Sequence, residues 1–269
     1  MMIWTRIWLI AKKDMSDFFK DKTLLVPFVL LPLIFSVILP IVILKLGARP
    51  ELTASITGLE SFLKHLSALP LPKSLQTESL ALYAILIYFL LPMFMILPVM
   101  FSNLIGAYAF VGEKENHTLE GLLSTPVSAK ELIAGKLLSA ILPSLLATWI
   151  AHLCYGMIVN GLGKSIFGIA LFPNSIWTIV GLVVSPLLVT LSTLLVFGIS
   201  PYVKSSKSAQ SVSLFLLFPL IGILISQSSG LMLLNPSISL GIALVLLILN
   251  GIAYLGISKT FNVEKYIAE

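Results

Sequence analysis

Charge is scarce in this chain. Asp, Glu, Lys and Arg make up 11% of its 269 residues, while 58% are hydrophobic; a soluble domain carries about one quarter charged residues. A mean hydropathy of +1.04 excludes a soluble globular protein and points to a chain that crosses a bilayer several times. Cysteine is nearly absent. Cys154 stands alone inside a hydrophobic block, so no intrachain disulfide can form. The three histidines, His65, His117 and His152, fall in three different segments and offer no metal-ligand spacing. No internal repeat stands out. A nucleotide-binding loop is also missing. Gly161-Leu162-Gly163-Lys164-Ser165 imitates one, but a phosphate loop needs a glycine five residues before the glycine of its G-K pair, and Ile158 stands there. No nucleophile–base pairing can be assembled, so nothing here reads as an enzyme. The net charge of +5 does not read as nucleic-acid binding, because the placement of the basic residues follows the membrane.

Hydrophobic blocks organise the rest. Residues 1–23 read as an amphipathic helix: Ile3, Trp4, Ile7, Trp8, Ala11, Met15, Phe18 and Phe19 recur at three- and four-residue spacings. Arg6, Lys12, Lys13, Asp14, Asp17, Lys20 and Asp21 are expected on the opposite face. Two Trp opposite several Lys suit a helix lying in the headgroup plane; packing on the protein itself is the alternative. Span 1 is expected at about Leu24–Leu44, with Pro27, Pro32 and Pro40 inside. Prolines in a span require neighbours that satisfy the freed carbonyls. A loop over 45–79 holds one short amphipathic stretch, Leu52 to Leu66, ended by Pro70 and Pro72. Span 2 covers about Leu80–Phe110 with Pro92 and Pro98, and span 3 about Leu137–Asn160. A loop at 161–175 leads to span 4, about Ile176–Ser200, with Trp177 expected as an interface anchor. A turn at 201–210 leads to span 5, about Ser211–Ser226. An uncharged link at 227–237, which could dip back into the membrane, precedes span 6, about Ile238–Ile257, with Asn250 a buried polar group.

Span 3 carries an unusual face. Ala140, Ser144, Ala147, Thr148, Ala151, His152, Tyr155 and Gly156 line up at helical spacing. Small residues permit close helix packing, and an ionisable residue within a span is a functional candidate. Ser144, Thr148 and His152 therefore line either a pathway or a packing face. No Asp, Glu, Lys or Arg is required deep inside a span.

Orientation follows from Lys and Arg. With both ends inside, twelve of the 17 lie on the inner side, in 1–23, 111–136, 201–210 and 258–269. The positive-inside rule thus places both termini, and the 111–136 connection, in the cytoplasm. The chain reads as one membrane domain over 1–269. An interfacial helix occupies 1–23, spans 1 and 2 lie within 24–110, and a cytoplasmic coupling segment fills 111–136. Spans 3 and 4 lie within 137–200, spans 5 and 6 within 211–257, and a tail covers 258–269.

The 112–136 stretch is the most informative. It runs G-E-K-E-N-H-T-L-E-G-L-L-S-T-P-V-S-A-K-E-L-I-A-G-K. A short amphipathic helix is expected over about Glu115–Ser124, with Leu119, Leu122 and Leu123 on one side. Pro126 stops it. Ser128-Ala129-Lys130-Glu131 is a capping box that opens the next helix.

This stretch resembles the signature of ABC type-2 transporter permeases. The matching residues are Glu113, Lys114, Glu115, Thr118, Leu119, Glu120, Leu122, Leu123, Thr125, Pro126, Val127, Ser128, Gly135 and Lys136. His117 stands where the family usually has glycine. The phrase K-K-D-M-x-D-F-F-K-D-K-T near the N-terminus is similar to the start of those permeases. The resemblance implies an all-α permease subunit with six transmembrane helices, an N-terminal interfacial helix and a cytoplasmic coupling helix, sited in the cell membrane. It implies pairing with a second permease copy or a relative, and docking of a separate ABC ATPase subunit. ATP and Mg²⁺ would act on that ATPase, leaving no cofactor on this chain. The expected ATPase contacts are Glu113, Glu115, Thr118, Leu119, Glu120, Leu122, Leu123, Thr125 and Pro126. Export is the direction the resemblance implies. The apolar spans fit a hydrophobic or amphiphilic cargo: a drug, lipid or peptide. Sodium export ranks second, because no intramembrane carboxylate is seen and the 45–79 loop is small for that branch. An ATP-independent secondary transporter or a membrane scaffold is the rival class; the first normally shows an ion site and inverted repeats.

Overall fold

The computed structural model describes residues 3–46, 77–112, 115, 128–229 and 231–260. Every regular element among them is helical. Helix α1, Ile3–Lys20, precedes six helices long and apolar enough to cross a membrane. These are α2 (Lys22–Leu46), α3 (Ser79–Gly112), α4 (Ala129–Phe167), α5 (Ser175–Tyr202), α6 (Ser206–Gln227) and α7 (Pro236–Thr260). The fold is the all-α polytopic one that the composition requires. The short amphipathic stretch expected within 45–79 lies outside the described residues.

Helix α3 is the axis. Its most apolar stretch is 67% buried, against 17% for α2, 12% for α6 and 17% for α7. Helices α4 and α5 pack directly on it. One end of the bundle gathers α1, the end of α3, the start of α4 and the start of α6; it is called the basal end below.

Three of the in-helix prolines follow a widened turn, whereas Pro32, Pro98 and Pro143 sit in α-helix. Three of the four wide π-helical turns among the described residues lie at Ile34–Ile38, Ile85–Phe89 and Val180–Val184. Each contains the residue four positions before a proline: Ser36 before Pro40, Tyr88 before Pro92, Leu182 before Pro186. A proline cannot donate to that carbonyl, and its ring crowds it; widening the turn relieves the clash. In α3 the carbonyls of the widened turn turn outward to other helices. Tyr155 of α4 donates to Leu86 O at 2.7 Å, Trp177 of α5 donates to Ile87 O at 2.9 Å, and Gln227 of α6 donates to Tyr88 O at 2.5 Å. Three helices are thereby fixed to three consecutive carbonyls of a fourth. In hydrocarbon no water is present to take those bonds.

Several boundaries differ from the sequence expectation. Helix α4 is longer at both ends than Leu137–Asn160. It starts at Ala129 behind the Ser128 cap and continues to Phe167, where Gly168 at φ +70° ends it. Gly161 and Gly163 lie inside the helix; a glycine weakens a helix by about 1 kcal/mol without stopping it. The loop expected at 161–175 therefore begins at 168, and the imitation phosphate loop is helical. Helix α6 starts at Ser206, so half of the turn expected at 201–210 is helix and span 5 is longer than Ser211–Ser226. Trp177 is not an interface anchor. It is 3% exposed, drawn into the bundle by the Ile87 carbonyl. Asn250 is buried, as expected, and donates to Leu187 O and Leu246 O.

The Pro92–Gln227 relation is open to a double-mutant test. Gln227→Leu strands the Tyr88 carbonyl and should destabilise the protein by about 1–3 kcal/mol. In a Pro92→Ala background the alanine supplies the missing N–H, so the same change should cost much less. Thermal unfolding in detergent of the four proteins measures both values; equal costs in the two backgrounds would refute the assignment.

Candidate functional site

The basal end is built on a close helix crossing. Helix α1 lies against the start of α4 at Gly135. A Cβ added there would stand 2.8 Å from Ile10 Cβ and 3.0 Å from Ile7 O, so only glycine lets the two backbones approach this far. Ile7, Ile10, Ala11 and Phe18 are buried, whereas Trp4 and Trp8 are 71% and 48% exposed. The expected apolar face is thus divided between the bundle and the surroundings.

Asp14 belongs to the buried side. Placed on the polar face by the sequence reading, it is 5% exposed. Its Oδ2 lies 3.5 Å from the Lys136 ammonium and its Oδ1 lies 3.5 Å from that of Lys13. Lys136 is 1% exposed and also donates to the Ala109 carbonyl. Both charges sit at the basal end of the bundle. Because α4 begins at Ala129, Lys136 sits two turns inside it. Two charges taken out of water need each other and further hydrogen bonds, and Ala109 supplies one. Ala109 belongs to the fourth π turn, Tyr108–Gly112, which ends α3.

That π turn leads directly into the 113–127 connection. Of the expected ATPase contacts, Glu115 is described. Glu113, Thr118, Leu119, Glu120, Leu122, Leu123, Thr125 and Pro126 lie outside the described residues. Glu115 caps α6: its Oε2 accepts from Ser206 N at 2.9 Å and from Ser206 Oγ at 2.8 Å. A carboxylate suits the positive end of a helix. The Ser206 N–H and hydroxyl, with Lys207 nearby, hold the Glu115 carboxyl below its usual range. A depressed carboxyl stabilises above its unfolded pKa, and this cap weakens as pH falls through the lowered value. At the other end Ser128 and Glu131 form the expected capping box: Ser128 N donates to Glu131 Oε2 at 2.9 Å, and Glu131 N donates to Ser128 Oγ at 3.3 Å. Arg6 of α1 reaches the same carboxylate at 3.8 Å. Residue 115 and residue 128 are each tied to a helix of the bundle.

The small-residue face of α4 lies elsewhere, toward the helix centre. Ser144 and Thr148 are fully buried, and each hydroxyl turns back to a carbonyl of its own helix: Ala140 O at 2.7 Å and Ser144 O at 2.7 Å. His152 continues the ladder, with Nδ1 2.9 Å from Thr148 O. That carbonyl can only accept, so Nδ1 carries the proton and Nε2 is the bare nitrogen. Nε2 is buried without a hydrogen-bond partner among the described residues. The ring packs edge-on against Phe94 at 5.1 Å and Trp177 at 5.8 Å. Ser144 and Thr148 face the packed interior, while His152 keeps its Nδ1 with its own helix. They are not brought together with Glu115 or the basal ion pair.

Sequence reasoning missed Gly135, Lys136 and Asp14 as a unit. The signal was present for Asp14: the register Ile7, Ala11, Asp14, Phe18 puts it on the apolar stripe. Its partner, more than a hundred residues away, had no local mark. Asp14→Leu alone leaves a buried cation and should cost about 3–5 kcal/mol, whereas Asp14→Leu with Lys136→Met should recover most of that. Thermal unfolding in detergent tests this; a double variant no better than the single one would remove the pair from the account.

Comparison with known proteins agrees with this layout. A comparison with individually curated proteins finds no match. Residues 8–256, from within α1 to the last turn but one of α7, match the family described as ABC-2 family transporter protein. With nearly the whole chain covered, and a six-helix membrane bundle beneath it, this protein belongs to the ABC-2 family of transporter membrane proteins.

Proposed function

We propose that this chain is the permease subunit of an ATP-driven exporter, coupled through its 113–127 connection to a separate ATPase. The observation that carries the reading is the anchoring of that connection at both ends. Glu115 holds the start of α6, and the Ser128–Glu131 box holds the start of α4. A partner that moved the connection would pull on two spanning helices at once. Leu119, Leu122 and Leu123 would fill a groove on the ATPase, where buried apolar anchors carry affinity. Glu113 and Glu120 would set charge complementarity at its rim. ATP and Mg²⁺ would be used on the ATPase, not here.

The exposed Trp4 and Trp8 support α1 as a helix lying along the membrane interface. The Lys and Arg distribution supports a cytoplasmic basal end, with both termini on that side of the cell membrane. A second copy or a relative would complete the permease pair. The predominantly apolar helices favour a hydrophobic or amphiphilic cargo. Sodium stays the second reading.

Leu122→Asp with Leu123→Asp should abolish ATPase co-purification and cargo transport while leaving membrane insertion and the unfolding temperature unchanged. Pull-down from native membranes with an ATP-hydrolysis assay reads the first. Transport that survives with the ATPase still bound would end the docking assignment.

A further inference from the structure

A groove of about 580 Å³ runs along the outer side of α4 where it meets α5. Its wall is aromatic: His152, Phe172 and Trp177. That wall is rigid, because Trp177 stacks on Tyr155 at 4.6 Å and Phe172 packs on Trp177 at 5.2 Å. Leu153, Met157 and Leu182 form an open rim, 66%, 65% and 63% exposed. Trp149 stands at one end with its indole N–H already given to Gly181 O. At the other end Asn160 is committed as well: it donates to Phe172 O and accepts from Leu171 N and Phe172 N.

The groove lies between two membrane-crossing helices, so it opens sideways into hydrocarbon. Its length selects the occupant further. Trp149 to Asn160 rises ~16 Å at ~1.5 Å per residue, close to half of a ~30 Å hydrocarbon core. One turn past Asn160 stands Lys164. It is eleven residues from Leu153, three full turns, and so shares the face of the groove. Lys164 is exposed. A cation thus stands just beyond the open end of a slot half a bilayer long.

We propose that this groove binds a phospholipid of the leaflet on that side, with one acyl chain laid along Trp149–Asn160 and its phosphate at Lys164. Hydrocarbon gains no hydrophobic free energy by leaving a bilayer for a protein surface. Retention therefore rests on two features, dispersion against a rigid wall that would otherwise face a void and the phosphate–lysine attraction. The site stands independently of ATPase coupling.

The full chain in detergent would be given one equivalent of an anionic phospholipid whose acyl chain carries a photoreactive diazirine. Label should concentrate on Leu153, Met157 and Leu182, and avoid Leu247 and Ile252 of α7, which are similarly exposed. Met157→Trp and Thr178→Trp, at exposed positions, fill the groove and should lower labelling about tenfold; Leu247→Trp should not. Lys164→Glu should lower phospholipid labelling about tenfold while leaving a diacylglycerol with the same chain unchanged. Unfolding temperatures of all variants verify folding. Label spread in proportion to exposure would overturn the site. So would equal behaviour of phospholipid and diacylglycerol in every variant, or crosslinks through Met157 to a second copy that displace lipid.

Discussion

A carbonyl that a proline leaves without its donor cannot turn to water inside a bilayer. In this protein that constraint arranges the whole bundle. Pro92 sits in the most buried helix, and the turn before it widens so that the carbonyls of Leu86, Ile87 and Tyr88 face outward. Tyr155, Trp177 and Gln227 each meet one of them. Each such bond contributes only about 1 kcal/mol net, but leaving the carbonyl unmet would cost more. The bonds therefore act mainly as a register. They specify which faces of α4, α5 and α6 meet α3, and the aromatic cluster of Phe94, Tyr155, Phe172 and Trp177 fills the space between those faces.

The basal end is held by different chemistry. Gly135 lets α1 approach α4, and the approach buries Asp14 and Lys136 together. A buried ion pair is a poor source of stability, since desolvation offsets its attraction. Its value is specificity: a slip of α1 along α4 would separate two buried charges.

Legibility in the sequence followed the range of the interactions. Helix count, the Ser128–Glu131 cap and the family resemblance rest on local pattern, and all could be read. The need for donors to meet proline-freed carbonyls could be stated, but not which donors, because Tyr155 and Gln227 lie 69 and 139 residues from their acceptors. Trp177 was misplaced for the same reason: interface preference is a local average, and a specific distant carbonyl outweighs it. The end of α4 was misjudged because Gly161 and Gly163 read as a break, while the left-handed turn at Gly168 is what ends the helix. Asp14 was assigned by charge when its register already put it with Ile7 and Phe18.

The four π turns are not equivalent, and the difference bears on coupling. Those at Ile34–Ile38, Ile85–Phe89 and Val180–Val184 each contain the carbonyl that a downstream proline leaves without a donor, although Pro32, Pro98 and Pro143 leave such a carbonyl without widening the turn. No proline follows Tyr108–Gly112 at that distance. Its carbonyl at Ala109 is instead met by Lys136, whose charge is balanced by Asp14 of α1. The turn adjoining the 113–127 connection is thus held by a side chain that can let go, whereas the turns inside the bundle are held by missing N–H groups that cannot be restored. Under the proposed coupling, motion of the connection would meet its first yielding point at that turn. The carbonyl-bonded core above it would move as one body.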